Sequence, residues 1–284
     1  MVLNQTVSRN LMHITSSGHN VFIPNQRDGD PSPMNTLQLL ISIDDTDNAS
    51  SPGSGTVAEA LTEELQKREL ALCSGITRHQ LLVHPAIPYT SHNSAMCFPA
   101  ICTTGKLDEV ILFSQDYLAG TAAIGSDPGL AVAVGNGALD TTSLISFGQR
   151  AKQCIVAKRE AEDTARLAGV HLSAHGGSGE GIIGALAAIG LRLQGSDGRF
   201  RGWHALGATG TFTTPAQLCA HPFVDAVISD TGEQLTMHTP IILAEERVKT
   251  VLLNGRRVVP VARRDKQAGS PLWTTLSKSE SKRF

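Results

Sequence analysis

Alternating strand and helix signals run through the middle of the chain, and they constrain its fold more than any other feature. A short apolar run at 37–43 has the length of a buried strand, and apolar positions recur at helical spacing over 56–67. The alternation continues with strand-like runs at 76–84, 95–103 and 130–134 and with helical patterns at 107–115, 147–167 and 182–190. The pattern predicts an α/β (α+β) body.

Composition divides the chain into four segments. Residues 1–36 are polar and lack periodicity, which predicts a disordered leader. The α/β body covers 37–200. Short β-like runs and the hairpin signal Asn254-Gly255 predict a small β module over 201–263. The polar residues 264–284 are expected to form a flexible tail.

The charge balance and the cysteine pattern exclude several classes of protein. Lys and Arg number 24 against 26 Asp and Glu, so no chain-wide basic field steers the molecule onto nucleic acid or an anionic membrane. No apolar run approaches the roughly 20 residues of a membrane helix, and the first residues lack a signal-peptide pattern. The five cysteines are scattered without a Cys-x-x-Cys pair. We therefore expect a cytoplasmic protein with reduced thiols and no zinc.

Three carboxylates, Asp44, Asp45 and Asp47, follow the first predicted strand directly. Ligands bind at such strand ends in open α/β sheets, and Mg²⁺ would remove the mutual repulsion of the carboxylates and bridge them to phosphate oxygens. The cluster therefore predicts a metal–nucleotide site. One alternative is a polar turn. Another is the nucleophile motif of haloacid-dehalogenase-like phosphatases, against which Ala49 argues, because that family usually has Thr or Val there.

A second candidate is the glycine-rich loop that precedes the helical pattern at 182–190. Its glycines are Gly176, Gly177, Gly179 and Gly181. Successive backbone N–H groups and the start of a helix can together hold an anion, so the loop is a candidate phosphate cradle. Its spacing fits neither the P-loop nor the G-x-G-x-x-G pattern, and a flexible turn is the alternative.

A proline-containing loop follows the strand-like run at 76–84. It carries Tyr89, His92 and Asn93, side chains suited to gripping a nucleoside or a polar small molecule. These three residues are the candidate substrate-binding group.

Together these segments resemble the archaeal 2-agmatinylcytidine synthetases, which use ATP and agmatine to modify a cytidine of an isoleucine tRNA. The resemblance covers about 37–195. Its motifs are Ile43-Asp44-Asp45-Thr46-Asp47, Gly53-Ser54-Gly55-Thr56, Ile87-Pro88-Tyr89-Thr90-Ser91-His92-Asn93, Asp127-Pro128-Gly129 and the glycine-rich run 179–190. It implies a kinase-like nucleotide-binding domain with a ferredoxin-like part.

The resemblance also implies roles for individual residues. Asp44, Asp45 and Asp47 would handle Mg²⁺ and the ATP phosphates, and Thr56 would lie beside the γ-phosphate. Gly53 and Gly55 would form the loop–helix junction next to these phosphates.

The chain departs from this family in ways that bear on the acceptor. Thr90, Ser91 and His92 stand where the family usually has Lys and Arg, and Glu180 replaces an Arg of the glycine loop. The OB-fold and zinc ribbon of the archaeal enzymes have no counterpart in the pattern. Because phosphate contacts by Lys and Arg dominate nucleic-acid affinity, these departures predict weak tRNA binding.

The sequence thus predicts an ATP- and Mg²⁺-dependent phosphotransferase, or an ATP-driven condensing enzyme (a transferase or ligase), that acts on a small-molecule acceptor. One alternative, disfavoured here, is genuine agmatine–cytidine ligation on tRNA. Another is a nucleotide-binding sensor without turnover. The oligomeric state and the choice between ADP and AMP as product stay open.

Overall fold

A computed structural model describes residues 35–87, 92–264 and 272–284. Tyr89 and nearly all of the leader predicted over 1–36 lie outside the described residues. The strands are β1 (Thr36–Asp44), β2 (Leu72–Cys73), β3 (Thr77–Gln80), β4 (Ser94–Thr103), β5 (Gly129–Val134), β6 (His171–Ala174), β7 (Arg199–Phe200), β8 (His204–Ala205), β9 (Phe212–Thr213), β10 (Ala226–Ser229), β11 (Ile241–Ile242), β12 (Arg247–Val248), β13 (Val251–Leu253), β14 (Arg256–Arg264) and β15 (Leu272–Thr275).

The α-helices are α1 (Ser54–Lys67), α2 (Leu107–Thr121), α3 (Thr141–Ala151), α4 (Lys158–Ala168), α5 (Gly181–Gln194) and α6 (Pro215–Cys219). Short 3₁₀ turns cover Thr104–Lys106 and Glu280–Arg283. None of the helices in the described parts of the chain has the length and apolar character needed to cross a membrane.

One mostly antiparallel sheet runs through the body and the C-terminal segment. Its strand order is β6-β5-β1-β4-β3-β7-β13-β14-β15-β11-β9, with β2 paired to β4 and β10 paired to β14. Only the β10–β14 and β11–β15 pairs, among the strands described, are parallel. The mixed α/β class, in its α+β form, is thereby confirmed. Both neighbours of β1 are antiparallel to it. The rule that ligands bind at the carboxyl ends of parallel strands therefore does not explain the position of the acidic cluster.

Helices cover both faces of the sheet around β1. Helices α3, α4 and α5 pack on one face, and α1 and α2 pack on the other. Helix α5 is buried along almost its whole length, because its small residues let neighbours approach closely. A Cβ atom added at Gly190 would collide with the Leu144 carbonyl group of α3. A third core lies in the C-terminal segment.

Two sequence-based expectations need correction. The helix predicted over 147–167 is two helices, because Ala157 is extended at the N-cap of α4 and breaks the run. The tail predicted to be flexible over 264–284 contains secondary structure where it is described: β15 pairs with β14, and a 3₁₀ turn follows. β15 lies between β14, the preceding strand, and β11, which is parallel to it. A short polar segment does not reveal this pairing by its own pattern.

Candidate active site

The acidic loop that follows β1 is tied to the start of α1. Asp44 ends β1, and Asp45 has a left-handed conformation (φ 49°) that turns the chain sharply. Oδ1 of Asp47 then accepts hydrogen bonds from Ser54 N at 3.0 Å and from Ser54 Oγ at 2.6 Å. The Asp47 carboxylate therefore lies at a helix N-terminus, where partial positive charge stabilises it.

Asp44 is buried against the first turn of α5. The residue is 8% exposed, and a Cβ atom at Gly184 would collide with Oδ2 of Asp44. This approach therefore requires glycine at position 184. Burial, reinforced by the charge of Asp45, raises the pKa of Asp44 to about 8. At neutral pH, Asp44 thus holds a proton in the absence of a cation.

Asp45 faces further negative charge. Burial raises the pKa of its carboxyl to about 6, and the charges of Asp127 and Asp47 add to the shift. Asp127 reaches this region because it lies just before β5, whose first residue, Gly129, is paired with Asp44. Asp45, Asp47 and Asp127 thus crowd carboxylates beside the protonated Asp44, and a cation would relieve their repulsion.

The raised pKa of Asp44 predicts how stability depends on pH. The unfolded carboxyl ionises near pH 4, whereas the folded one stays protonated to about pH 8, so ionisation opposes folding as pH rises between these values. We expect Asp44→Asn to remove this loss. In EDTA the mutant should gain stability over the wild type by on the order of a few kcal/mol between pH 5 and pH 8.

Urea denaturation of both proteins across this pH range measures the difference. A gap that stays constant from pH 5 to pH 8 would show that the folded and unfolded states of the wild type bind the same number of protons at Asp44, against the raised pKa.

The aspartates do not form a ready-made metal site. Within the described residues, no three His, Cys, Asp or Glu side chains are grouped so that they could hold a metal ion. Asp47 turns to α1 and Asp44 is buried beside Gly184, so the expectation that Asp44, Asp45 and Asp47 bind one Mg²⁺ stays a prediction. Their chemistry still suits a hard cation, since all the donors are carboxylate oxygens that crowd negative charge together.

The glycine loop already holds an anion, the side chain of Asp127. Its carboxylate accepts hydrogen bonds from the backbone N–H groups of Ser178 (3.2 Å), Gly179 (2.5 Å) and Glu180 (3.0 Å). Positive φ angles at Gly177 and Gly179, 54° and 78°, shape this loop. The loop therefore has anion-binding geometry, but a phosphate group would have to replace Asp127.

The two remaining glycines of the loop lie against the segment around Asp127. A Cβ atom at Gly181 would collide with the carbonyl oxygen of Asp127, and one at Gly176 would lie 3.0 Å from Pro128 Cδ. Position 181 therefore needs glycine, whereas a side chain at position 176 would only crowd Pro128.

The junction at the start of α1 meets an arginine from a distant part of the chain. Arg201 donates from Nη2 to Thr56 Oγ1 at 3.2 Å and pairs with Glu59 at 2.8 Å. A Cβ atom at Gly55 would lie 2.7 Å from Arg201 Nη1, whereas Gly53 has open space around it. Thr56 therefore lies beside a guanidinium group, which can bind phosphate.

A cavity of about 350 Å³ opens at the acidic loop. Its lining combines the aspartates with apolar side chains and with two of the predicted substrate-binding residues. It includes Asp44, Asp45, Asp47, Asp127, Leu81, Ile87, His92, Asn93, Cys154, Ile155, Val156, Lys158, Gly181 and Ile183. The cavity thus brings together most of the acidic and substrate-binding candidates, while Thr56, Gly53, Gly55, Gly176, Gly177 and Gly179 are not among its lining residues.

His92 and Asn93 differ in how they meet the cavity. Asn93 donates from Nδ2 to the Leu82 carbonyl oxygen at 2.7 Å, so its amide also ties the loop to the segment after β3. Burial lowers the pKa of His92, and the positive charge of Arg78 adds to the shift. His92 is therefore neutral at physiological pH.

Sequence reasoning misses two residues of this site. Asp127 belongs to the motif Asp127-Pro128-Gly129, but the sequence analysis gives it no role. The signal for a role is its position just before β5, the strand that pairs with β1. Arg201 carries no local signal, because it reaches Thr56 only through the pairing of distant strands.

Comparisons with known proteins give partial similarity. No protein-family profile matches the chain, and no curated protein matches it. Among solved structures, a tRNA fluorescent labeling enzyme is 25% identical with a TM-score of 0.46, covering 54% of this chain and 36% of that one. Apo TiaS, a tRNA agmatidine synthetase, is 23% identical with a TM-score of 0.45, covering 54% and 35%.

A complex of TiaS with tRNA and ATP is similar to the same extent, at 24% identity and a TM-score of 0.46 over 54% of this chain and 36% of that one. The matched region thus spans about a third of the length of these neighbours. TiaS is an enzyme of the kind that the sequence motifs resemble.

Proposed function

We propose that the chain is an ATP-using enzyme that activates an acceptor at the cavity beside the acidic loop. The observation that carries this proposal is the meeting of four aspartates with an anion-binding glycine loop at one cavity. Bound cation and phosphate would neutralise each other there. Phosphoryl transfer needs mainly such positioning and charge neutralisation, which the site offers.

Mg²⁺ would enter this site together with the nucleotide. Proteins commonly hold Mg²⁺ through one or two carboxylates, with phosphate oxygens and water completing its shell. Asp45, with Asp47 close by, would supply the carboxylates, so a preformed three-ligand group is not required. When bound, the ion would neutralise phosphate charge during transfer.

Each remaining residue has a proposed role in holding the substrates. Asp44 would hold a proton until a cation binds nearby, and Thr56 would bind the transferred phosphoryl group. The N–H groups of Gly179 and its neighbours would orient phosphate oxygens. His92 and Asn93 would contact the acceptor.

For the acceptor, we favour RNA over the small molecule predicted from sequence. That prediction rests on the missing OB-fold and zinc ribbon and on missing Lys and Arg in the local motifs, yet Arg201 reaches Thr56 from elsewhere in the fold. Modification of a tRNA, the nucleic acid bound in the TiaS complex, is therefore the candidate we prefer. The small-molecule acceptor is the second candidate, carried by the apolar side chains in the cavity lining.

A thermal-shift measurement tests the nucleotide site. We expect Mg-ATP at saturating concentration to raise the melting temperature by several degrees, because a ligand at about 100 times its Kd adds roughly 2.7 kcal/mol of stability. ATP with EDTA should give a much smaller shift, because the carboxylates then repel the phosphates. Equal melting-temperature shifts with and without EDTA would show that nucleotide binding does not need the metal. The absence of any shift would show that the protein does not bind ATP.

Release of ADP, AMP or pyrophosphate separates an enzyme from a sensor. Turnover in the presence of total tRNA supports the proposed acceptor. A nucleotide-dependent shift without turnover on any acceptor would instead assign the chain to nucleotide-binding sensors.

A further inference from the structure

Strand pairing on both sides of β7 gathers four cationic side chains, here called the basic cluster: Arg78, Arg199, Arg201 and Lys249. The antiparallel β3–β7 pair places Arg78 directly opposite Arg199. The Arg201 N–H donates to the Ile76 carbonyl oxygen at 2.8 Å, so Arg201 continues this edge. Nζ of Lys249 donates to the carbonyl oxygen of Phe200 at 3.2 Å. The cluster therefore forms only in the folded chain.

The positive charges of the cluster are poorly compensated. Arg201 pairs with Glu59. Across 35–87, 92–264 and 272–284, no ion pair with a carboxylate is found for Arg78, Arg199 or Lys249. Like charges directly opposite on paired strands destabilise a sheet, so the pair formed by Arg78 and Arg199 costs stability in the unliganded protein.

The electrostatic effect of this crowding is visible on two members. Burial lowers the pKa of Lys249 to about 8, and the charges of Arg199 and Arg201 add to this shift. Burial also lowers the pKa of Arg78, with the same two arginines contributing. The more distant carboxylates of Glu59 and Asp47 offset only part of these effects. An anion bound here would relieve both the repulsion and part of the desolvation cost.

The cluster is continuous with the proposed active site. Arg201 contacts Thr56, and the charges of Arg78 and Arg199 act on His92 at the cavity. On its other side, Nζ of Lys249 lies 4.7 Å from the ring centroid of Trp203. The cationic surface thus runs from the cavity to an aromatic side chain of the C-terminal segment.

We propose that the basic cluster binds the phosphodiester backbone of an RNA strand, at nucleotides adjacent to the one that enters the cavity. This inference rests on the proposed function and assigns its acceptor to a specific surface. Guanidinium groups bind phosphate oxygens through two parallel hydrogen bonds, and cationic grooves combined with aromatic side chains are typical of single-stranded nucleic-acid sites. Residues two apart along an extended chain, such as Arg199 and Arg201, lie about 6–7 Å apart, so the cluster reaches more than one phosphate.

The test uses a fluorescein-labelled single-stranded RNA of about 20 nucleotides, long enough to span several phosphate contacts, with anisotropy measured at roughly 50 and 200 mM salt. Arg199→Glu should weaken binding at least about tenfold at the lower salt and flatten the salt dependence. The same variant should keep or raise its melting temperature, because the new carboxylate faces Arg78 across the strand pair. An unchanged or higher melting temperature would show that the variant is folded, so that its weaker RNA binding reflects the changed side chain.

Arg263→Glu is the matched control. It makes the same charge change at an exposed residue near the C-terminal end of β14. Its RNA affinity should stay within about twofold of the wild type. Equal losses in the two variants would show a response to net charge alone and would overturn the proposal.

Two further outcomes would also overturn it. In the first, the wild-type protein does not bind the RNA at the lower salt. In the second, 5′-AMP displaces the labelled RNA as completely as unlabelled RNA does. The Mg-ATP thermal shift of the wild type is read separately. RNA binding lost in Arg199→Glu, alongside a wild type without any ATP shift, would uphold the basic cluster and reject the proposed function.

Discussion

Asp45→Asn is expected to lower ATP turnover by about a hundredfold or more while leaving the protein folded. Asp45 is the carboxylate proposed to hold the cation, and removing its charge would leave the phosphates without the partner that neutralises them. The fold should tolerate the change, because asparagine accepts the left-handed conformation found at this position more readily than most residues do. Loss of charge also reduces the repulsion with Asp127 and Asp47.

Turnover is measured as release of ADP or AMP with total tRNA as acceptor, and folding is checked by the melting temperature without ligand. Asp163→Asn, the same change at an exposed residue of α4, is the control and should keep full activity. Undiminished turnover in Asp45→Asn would exclude this carboxylate from the reaction.

Gly190→Ala should destabilise the protein by about 3 kcal/mol, the upper end of the usual cost of overpacking a tight core. Position 190 lies within α5, where an added methyl group would collide with the Leu144 carbonyl group of α3. Both helices are buried parts of the same core, so neither can move without opening contacts elsewhere. The obstacle is a backbone atom, which cannot rotate away as a side chain would.

Gly120→Ala makes the same chemical change inside α2, where no atom lies within 4 Å of the added Cβ. This control should gain about 0.5–1 kcal/mol, because alanine favours the helix over glycine. Urea denaturation of both variants gives the comparison. Similar free energies of unfolding for the two variants would show that α3 and α5 can separate without cost.

Local parts of the fold and site follow from the sequence. The apolar run of β1, the turn at Asp44 and Asp45, and the helical spacing of α1 are each encoded within a few residues, so their order could be predicted. The same holds for the anion-binding character of the glycine loop, since glycine spacing and the following helix are contiguous. The mixed α/β class needed no more than this alternation.

Long-range pairing could not be predicted in the same way. The capture of the glycine loop by Asp127 joins residues about fifty positions apart, and the pairing of Arg78 with Arg199 joins β3 to β7. The motif around Asp127 does not reveal its partner in the glycine loop, and nothing local distinguishes Arg78 or Arg199 from an ordinary charged residue. The sequence-based view of the acceptor is limited for the same reason, because a near-zero net charge does not show where the individual charges gather in the fold.

The side chain of Asp127 has a consequence for binding kinetics and affinity. Because it fills the glycine loop, the backbone N–H groups there are already aligned before a ligand arrives. An incoming phosphate therefore exchanges with a carboxylate instead of ordering a loose segment, and little conformational entropy is lost at that step. The loop is preorganised by an intramolecular competitor, and part of the binding free energy of a phosphate would be spent on displacing the Asp127 carboxylate.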